Sequence, residues 1–574
     1  MHCRRGVKQG DPLSPLLFVL TTDVLQSLLN HMKEDGRLQL LILCQHNQDF
    51  PILQYADDTL IFMEACDSQL SELKRLLQVF SLSTGLKVNY SKSTLVPINV
   101  DDRRTNALAQ SFGCEVVSFP FTYLGLPLGL SKPKVIDCLP LVKKCELRLS
   151  ATSAFFSQAG RLEVTNSIFT ALPMYFMNTF KLHKTVVKQI DKYRKHCLWR
   201  GSDINAKTPP KAAWDLVRLP KKDGGLGVLN LETQNDALLL KNLHKFYNRL
   251  DIPWVHLIWE SYYSDASLPT PSKRKGSFWW KDILKLIDSF KGLAMIHVSD
   301  GATCLFLDDL WNSRVPRLSY PELFSFAKDP HISLKEVLAL EGPEQLVHLS
   351  LSNVALHQLT ELAQGLSDLL ISSEHDYWTY IWGTPFFSSA RAYVHLTWHR
   401  LIHPIFLKLW TSACQPKHKF FFWLLLYDRL STRNILRRKN MQLPSFNCVC
   451  CNLNQEESLI HLFLQCNFAQ SCWATIGLQT DSQNPFVAFG QFKLQLHVTF
   501  YLEIIILMCW CIWMQRNDFI FRGIQPSSAN CHQHFKKEFD LVILRAKNRH
   551  KESVSMARQL CVILLIFFVT FFVS

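Results

Sequence analysis

Tyr55-Ala56-Asp57-Asp58-Thr59, set between Ile52-Leu53 and Leu60-Ile61-Phe62, decides how the N-terminal part of this chain is read. Short apolar runs, β-branched or aromatic, that meet at a polar reversal predict a strand-turn-strand hairpin. Asp at the reversal tolerates the dihedrals of a tight turn. Two adjacent carboxylates at such a tip suit a metal-dependent nucleotidyl transferase. Mg²⁺ takes oxygen ligands, keeps several waters and is held by one or two carboxylates plus substrate phosphates. A solvated turn uses the same residues, so the pentapeptide acquires meaning only from its context.

Length and charge narrow that context. A chain of 574 residues is too long for one core, which predicts two to four domains. With 48% hydrophobic and 19% charged residues it has a globular composition. Lys and Arg outnumber Asp and Glu by 62 to 48, a formal charge of +14. That excess favours a polyanionic partner, because neutralising phosphates releases counterions. Eighteen cysteines spread over this length do not form the dense framework of a small secreted domain, which points to reduced thiols and a metal site. No signal peptide is recognised, and an intracellular location follows, in nucleus or cytoplasm. The apolar run Leu560 to Val573 falls short of the roughly 20 residues that span a bilayer, so a buried or non-native tail is expected there rather than a membrane anchor.

Periodicity supplies local structure. Leu70, Leu73, Leu76, Leu77 and Phe80 recur at three and four, which predicts a helix over Asp67 to Ser83 with one buried face. Lys143, Lys144, Arg148 and Arg161, then Lys184, Lys188, Lys192, Arg194 and Lys195, make the next block basic and helical, with a solvated face as the plain alternative to a phosphate-binding one. Trp259, Trp279, Trp280, Trp311, Trp378, Trp382 and Trp398 are irregularly spaced, which reads as core more readily than as a base-stacking surface. Phe422, Leu425, Leu426 and Leu430 are expected on the apolar face of a helix whose other face is basic.

Cys448-x2-Cys451-x9-His461-x4-Cys466 offers three thiolates and an imidazole. That is the ligand set of a closed, structural zinc site. Cys450 is a rival ligand, Cys472 reads as a core thiol, and buried cysteines without metal are the plain alternative.

Around the opening pentapeptide stand Arg5-Gly6-Val7-Lys8-Gln9-Gly10-Asp11-Pro12-Leu13-Ser14-Pro15-Leu16-Leu17-Phe18 upstream, and Gly85-Leu86-Lys87-Val88-Asn89-Tyr90-Ser91-Lys92-Ser93 and Phe121-Thr122-Tyr123-Leu124-Gly125-Leu126-Pro127-Leu128 downstream. In this order they resemble the later palm motifs of reverse transcriptases of non-LTR (LINE-type) retrotransposons, the plant kind. The resemblance continues through Gly160-Arg161-Leu162, Leu198-Trp199-Arg200-Gly201, Lys221-Lys222-Asp223-Gly224-Gly225-Leu226-Gly227 and Trp513-Met514-Gln515-Arg516-Asn517. The cysteine pattern, with Leu462-Phe463 and Trp473, resembles the zinc-binding domain that follows the polymerase in such elements.

The resemblance implies an α+β fold: a partial palm over 1–130, a basic thumb-like helical region over 131–250, a Trp-rich connector over 251–400, a mainly helical zinc-binding domain over 405–478 and a C-terminal helical segment over 479–574. It implies metal binding at Asp57 and Asp58, and a primer end supported by Tyr55. Gln9 and Gly10 would lie against nucleotide and template, Lys92 or Lys87 would steady pyrophosphate, and Tyr123, Leu124 and Gly125 would form a primer-grip turn. Mg²⁺ and Zn²⁺ are the implied ions, RNA and DNA the implied partners. The family's first palm Asp and fingers residues have no counterpart in Met1 to Arg4, so the resemblance implies an N-terminally truncated fragment that is inactive alone. A non-catalytic, zinc-stabilised nucleic-acid-binding protein is the rival reading, and a decayed coding remnant a third.

Overall fold

A computed structural model describes residues 10–39, 52–152, 156–201, 203, 208–263, 268–270, 274–367, 369, 371–397 and 399–546. Gln9, Trp398 and the apolar run Leu560 to Val573 lie outside them. The structure is mixed and helix-dominated, about 55% helical and 7% strand. Its strands pair only in twos among the described residues: β1 (Ile52–Tyr55) with β2 (Asp58–Ile61), β3 (Thr94–Leu95) with β4 (Glu115–Val116), β5 (Phe121–Tyr123) with β6 (Leu126–Leu128), and β7 (Ala294–His297) with β8 (Tyr377–Tyr380). The chain forms two compact units, Met1–Cys138 with Leu239–Ala392, and Leu139–Leu238 with Tyr393–Ser574.

In the first unit, α1 (Leu13–Glu34) and α2 (Asp67–Thr84) build a core with the first hairpin. Leu70, Leu73, Leu77 and Phe80 of α2 are buried and Leu76 is half-buried, as their spacing requires. Gly85 ends α2 at φ +78°, a conformation that strains any residue with a Cβ. Leu25, Leu29 and Met32 of α1 meet this core, while Leu13, Leu16, Leu17, Leu20 and Val24 are exposed. Helix α3 (Asp102–Phe112) starts where the Asp101 carboxylate accepts from the Arg104 amide at 3.0 Å. Further along this unit the tryptophans serve as core. Trp280, Trp311 and Trp378 are buried, and Phe246 stacks on half-buried Trp259 at 4.4 Å and 2°. Indole N–H groups find partners, Trp280 on the Tyr263 hydroxyl at 3.0 Å and Trp378 on Thr303 at 3.3 Å.

The second unit holds a larger apolar core. The unit includes α4 (Leu139–Thr152), α5 (Lys184–Arg200), α6 (Pro416–Leu426), α7 (Arg433–Arg438), α8 (Asn467–Ala474), α9 (Tyr501–Arg522) and α10 (Ser528–Ala546), of which α5, α6, α8, α9 and α10 contribute to that core. Every residue of α6 from Phe420 to Leu426 is buried, so the expected basic outer face does not exist. Its cations sit at one end, Lys417 on Glu538 at 2.7 Å and Lys419 on the Trp410 carbonyl at 2.9 Å. Leu430 is buried but lies beyond the helix. Helices α1 and α9 are each long and apolar enough to cross a membrane by length and composition, yet 56% of the apolar window of α9 is buried in the unit.

The basic block sorts by side. Lys143, Lys144 and Arg148 of α4 are exposed, as are Lys184, Lys188, Lys192 and Lys195, one stripe of α5. Arg194 is the exception to the expected face. It is fully buried and donates to Asp191 at 2.7 Å, to Thr170 at 3.0 Å and to the Leu229 carbonyl at 2.8 Å. A buried guanidinium with this set of acceptors is structural.

Candidate functional site: an acidic hairpin and a Cys₃His centre

Tyr55 pairs with Asp58 in the β1–β2 register, leaving Ala56 and Asp57 as a two-residue turn. Ala56 takes the left-handed conformation, φ +52°, a place the sequence reading gave to Asp. Tyr55, Asp57 and Asp58 are all exposed. Behind the tip, Ile52 enters the core and the Gln54 amide donates to the Thr22 carbonyl of α1 at 3.4 Å. The carboxylates therefore project from a hairpin anchored on a helix.

The other residues singled out from sequence in this unit lie on turns. Gly10 adopts φ +89° and is exposed, just before the Asp11 carboxylate accepts from the Leu13 amide at 2.9 Å at the start of α1. The Lys92 amide is held by Asn89, through its carbonyl at 3.1 Å and its side chain at 3.2 Å, and the Lys92 and Lys87 side chains are exposed. Tyr123 pairs with Leu126 across a turn in which Leu124 (φ +49°) and Gly125 (φ +78°) are both left-handed, the signature of a tight I′ hairpin.

In the second unit the chain folds back on itself before α8. The Cys448 amide donates to the Gln455 carbonyl at 2.8 Å and the Glu457 amide to the Phe446 carbonyl at 2.9 Å, closing a loop that carries Cys448 and Cys451. A single turn, His461–Gln465, then brings His461 and Cys466 to the same place. Cys448 Sγ stands 3.9 Å from Cys466 Sγ, and Cys451 Sγ 3.3 Å from His461 Nε2. All four donor atoms lie within 4.8 Å of one another. Two sulfurs, each about 2.3 Å from a tetrahedral ion, stand about 3.8 Å apart, so these atoms outline a zinc shell. Cys450 lies outside this group, and Cys472 is buried behind it. Burial lowers the His461 pKa, which favours the neutral ring that ligates. The Cys448 thiol is pushed up chiefly by its hydrogen bond with Cys450, Cys466 by its hydrogen bond with Cys448 and by burial, and Cys451 by burial. A divalent ion reverses that balance and takes the thiolates.

Sequence reasoning missed what holds this loop. Glu457, fully buried, accepts from Arg516 Nη2 at 2.7 Å and Nε at 3.3 Å, and from the Arg433 amide at 3.0 Å. Arg433 in turn donates to the carbonyls of Ser445 at 3.0 Å and Asn447 at 2.9 Å, directly before Cys448. The available signal was Arg516, a cation next to the apolar run of α9 and buried there. Trp473 closes the far side, its indole donating to the Phe463 carbonyl at 2.7 Å.

Comparisons with known proteins match the two segments that carry the hairpin and the Cys₃His group. Residues 1–128 match the family described as reverse transcriptase (RNA-dependent DNA polymerase), and residues 387–473 the family described as zinc-binding in reverse transcriptase. A putative ribonuclease H protein of Arabidopsis thaliana is 25% identical over 348 residues, 58% of this chain and 54% of that protein. Retrovirus-related Pol polyproteins are also similar. That of a type-1 retrotransposable element R2 in Popillia japonica is 26% identical, over 42% of this chain and 33% of its own length. That of the type-2 element R2DM in Drosophila melanogaster is 27% identical, over 44% and 23%. The chain thus spans about half the length of the plant relative and a third or less of the two polyproteins. The acidic hairpin thus lies inside the segment that matches the reverse transcriptase family and the Cys₃His centre inside the segment that matches its zinc-binding family, in a chain similar to retrotransposon Pol polyproteins of the R2 type.

Proposed function

We propose that the 574-residue polypeptide binds RNA and single-stranded DNA as a zinc-stabilised derivative of a reverse transcriptase, and does not extend a primer by itself. One observation carries the second half: among the described residues, no third Asp, Glu, His or Cys joins Asp57 and Asp58 in a group that could hold a metal. Their exposed oxygens suit Mg²⁺, which keeps its own waters. When bound, such ions activate the attacking hydroxyl and stabilise the leaving pyrophosphate, work that needs two ions and more charge than one pair supplies.

In this reading residues 1–130 are palm, 131–250 a thumb-like region, 251–400 a connector, 405–478 the zinc domain and 479–574 a helical C-terminal segment. Tyr55 would support a primer end, Tyr123, Leu124 and Gly125 would grip it, Gln9 and Gly10 would face template and nucleotide, and Lys92, or Lys87, would meet pyrophosphate. The exposed lysine stripes of α4 and α5 support a nucleic-acid partner.

The test is primer extension on a primed RNA template with Mg²⁺ or Mn²⁺. No extended product is expected from the 574-residue protein. Extension that disappears on Asp57→Ala would overturn the proposal, since another acid would then complete the site.

A further inference from the structure

Residues 428–439, Asp-Arg-Leu-Ser-Thr-Arg-Asn-Ile-Leu-Arg-Arg-Lys, carry five cations and one acid. Arg433 turns inward to the cysteine loop, while Arg429, Arg437, Arg438 and Lys439 are exposed. The side chains of Arg437 and Arg438 are 61% and 68% accessible. Their acidic neighbours, Glu456 at 3.2 Å from Arg437 and Asp428 at 3.7 Å from Arg438, are themselves about half exposed. Ion pairs this wet hold little free energy and leave both guanidinium groups available to a stronger anion. Lys211, half-buried, adds a fifth cation. It faces Lys439 as a like charge, and its hydrogen-bond partner is the Gln158 amide oxygen at 3.5 Å. Phe446, half-exposed, lies 5.8 Å beneath the Arg437 guanidinium, two residues before Cys448.

The first turn of α7 is tied to both flanks of the metal loop. The Asn434 amide donates to the Glu457 carbonyl at 3.1 Å, the Arg433 amide to the Glu457 carboxylate, and the Arg433 side chain to the two carbonyls before Cys448. The loop that zinc would close is therefore the scaffold of this basic surface. An aromatic ring flanked by arginines and lysines suits a strand whose bases are unpaired, because the ring stacks on any base while the cations track the phosphates.

We infer that Arg429, Arg437, Arg438 and Lys439, with Lys211 and Phe446, form a binding surface for single-stranded RNA or DNA that the Cys₃His centre holds in shape. This rests on the reading that the chain binds nucleic acid, and it assigns that binding to a particular surface.

The experiment uses the full 574-residue protein, checked for zinc by elemental analysis, and fluorescence anisotropy with a labelled 20-nucleotide oligouridylate over a range of salt. Reversing Arg437→Glu, Arg438→Glu and Lys439→Glu together should weaken binding roughly tenfold or more and reduce the salt slope by about 2, near 0.7 for each phosphate no longer neutralised, with zinc content unchanged. The neutral pair Arg437→Gln and Arg438→Gln should give a smaller loss in the same direction, and serves if the triple variant fails to fold. Phe446→Ala should weaken oligouridylate more than a duplex of equal length. Unchanged affinity and slope in a zinc-loaded charge variant would overturn this surface while leaving nucleic-acid binding intact. A wild-type protein that binds no oligouridylate at low salt would overturn both.

Discussion

At the scale of single residues, the ligand set was legible and its support was not. Cys448, Cys451, His461 and Cys466 announce themselves by spacing, because thiolates two residues apart share one turn and can share one ion. Glu457 and Arg516 lie 59 residues apart, and no local pattern brings them together. The same limit applies to Ala56: the sequence marks a reversal, but which residue takes the left-handed conformation depends on the strand register, and register set Tyr55 opposite Asp58. Arg194 was misplaced for a similar reason, since its acceptors on Thr170 and Leu229 come from other segments. If the four donors hold zinc, folding and metal binding are one event around this loop. Cys448→Ser should then drop bound zinc below one equivalent and lower the unfolding temperature of the protein. Elemental analysis with thermal denaturation checks this. A variant that keeps a full equivalent and melts like the wild type would favour buried thiols without metal.

At the scale of elements, periodicity succeeded where one face is buried and failed where all faces are. Helix α2 has a single core side, and its leucines report it. Helix α6 is enclosed all round, so a three-four pattern drawn from Phe422 and Leu425 gives no true outer face. The segment Lys221 to Gly227 shows the opposite case, a motif recognised by resemblance whose reason is packing. The Gly224 carbonyl accepts from the Trp423 indole at 2.8 Å and the Tyr427 hydroxyl at 3.0 Å, and Arg400 donates to the Asp223 carbonyl at 3.1 Å. A Cβ at Gly225 would stand 2.0 Å from the Leu219 carbonyl oxygen, a backbone atom that cannot swing aside. Gly225→Ala should therefore destabilise the second unit by about 2 kcal/mol or more, as overpacking does. Thermal denaturation reads this as a fall of several degrees. An unchanged transition would show that the turn has slack where it looks full.

At the scale of the whole molecule, net charge and family were legible and the division into units was not. Composition gives +14, and motif order gives the resemblance to reverse transcriptases that the matches over residues 1–128 and 387–473 support. That residues 139–238 share a core with the cysteine-bearing C-terminal part follows from the meeting of distant segments, such as the Trp423 indole on the Gly224 carbonyl, which spacing along the chain does not encode. Which residues of α4 face solvent is likewise settled only once Cys145 and Leu149 are packed inward, leaving Lys143, Lys144 and Arg148 exposed. The claim that these charges serve a polyanion is open to one direct measurement: the salt dependence of oligonucleotide binding by the full chain, alone and with Lys143→Glu, Lys144→Glu and Arg148→Glu. The account predicts affinity that falls steeply with salt, about 0.7 to 0.9 per phosphate neutralised on a log–log plot, and a flatter slope in the variant. Binding that ignores salt, or no binding at low ionic strength in a folded sample, would contradict it.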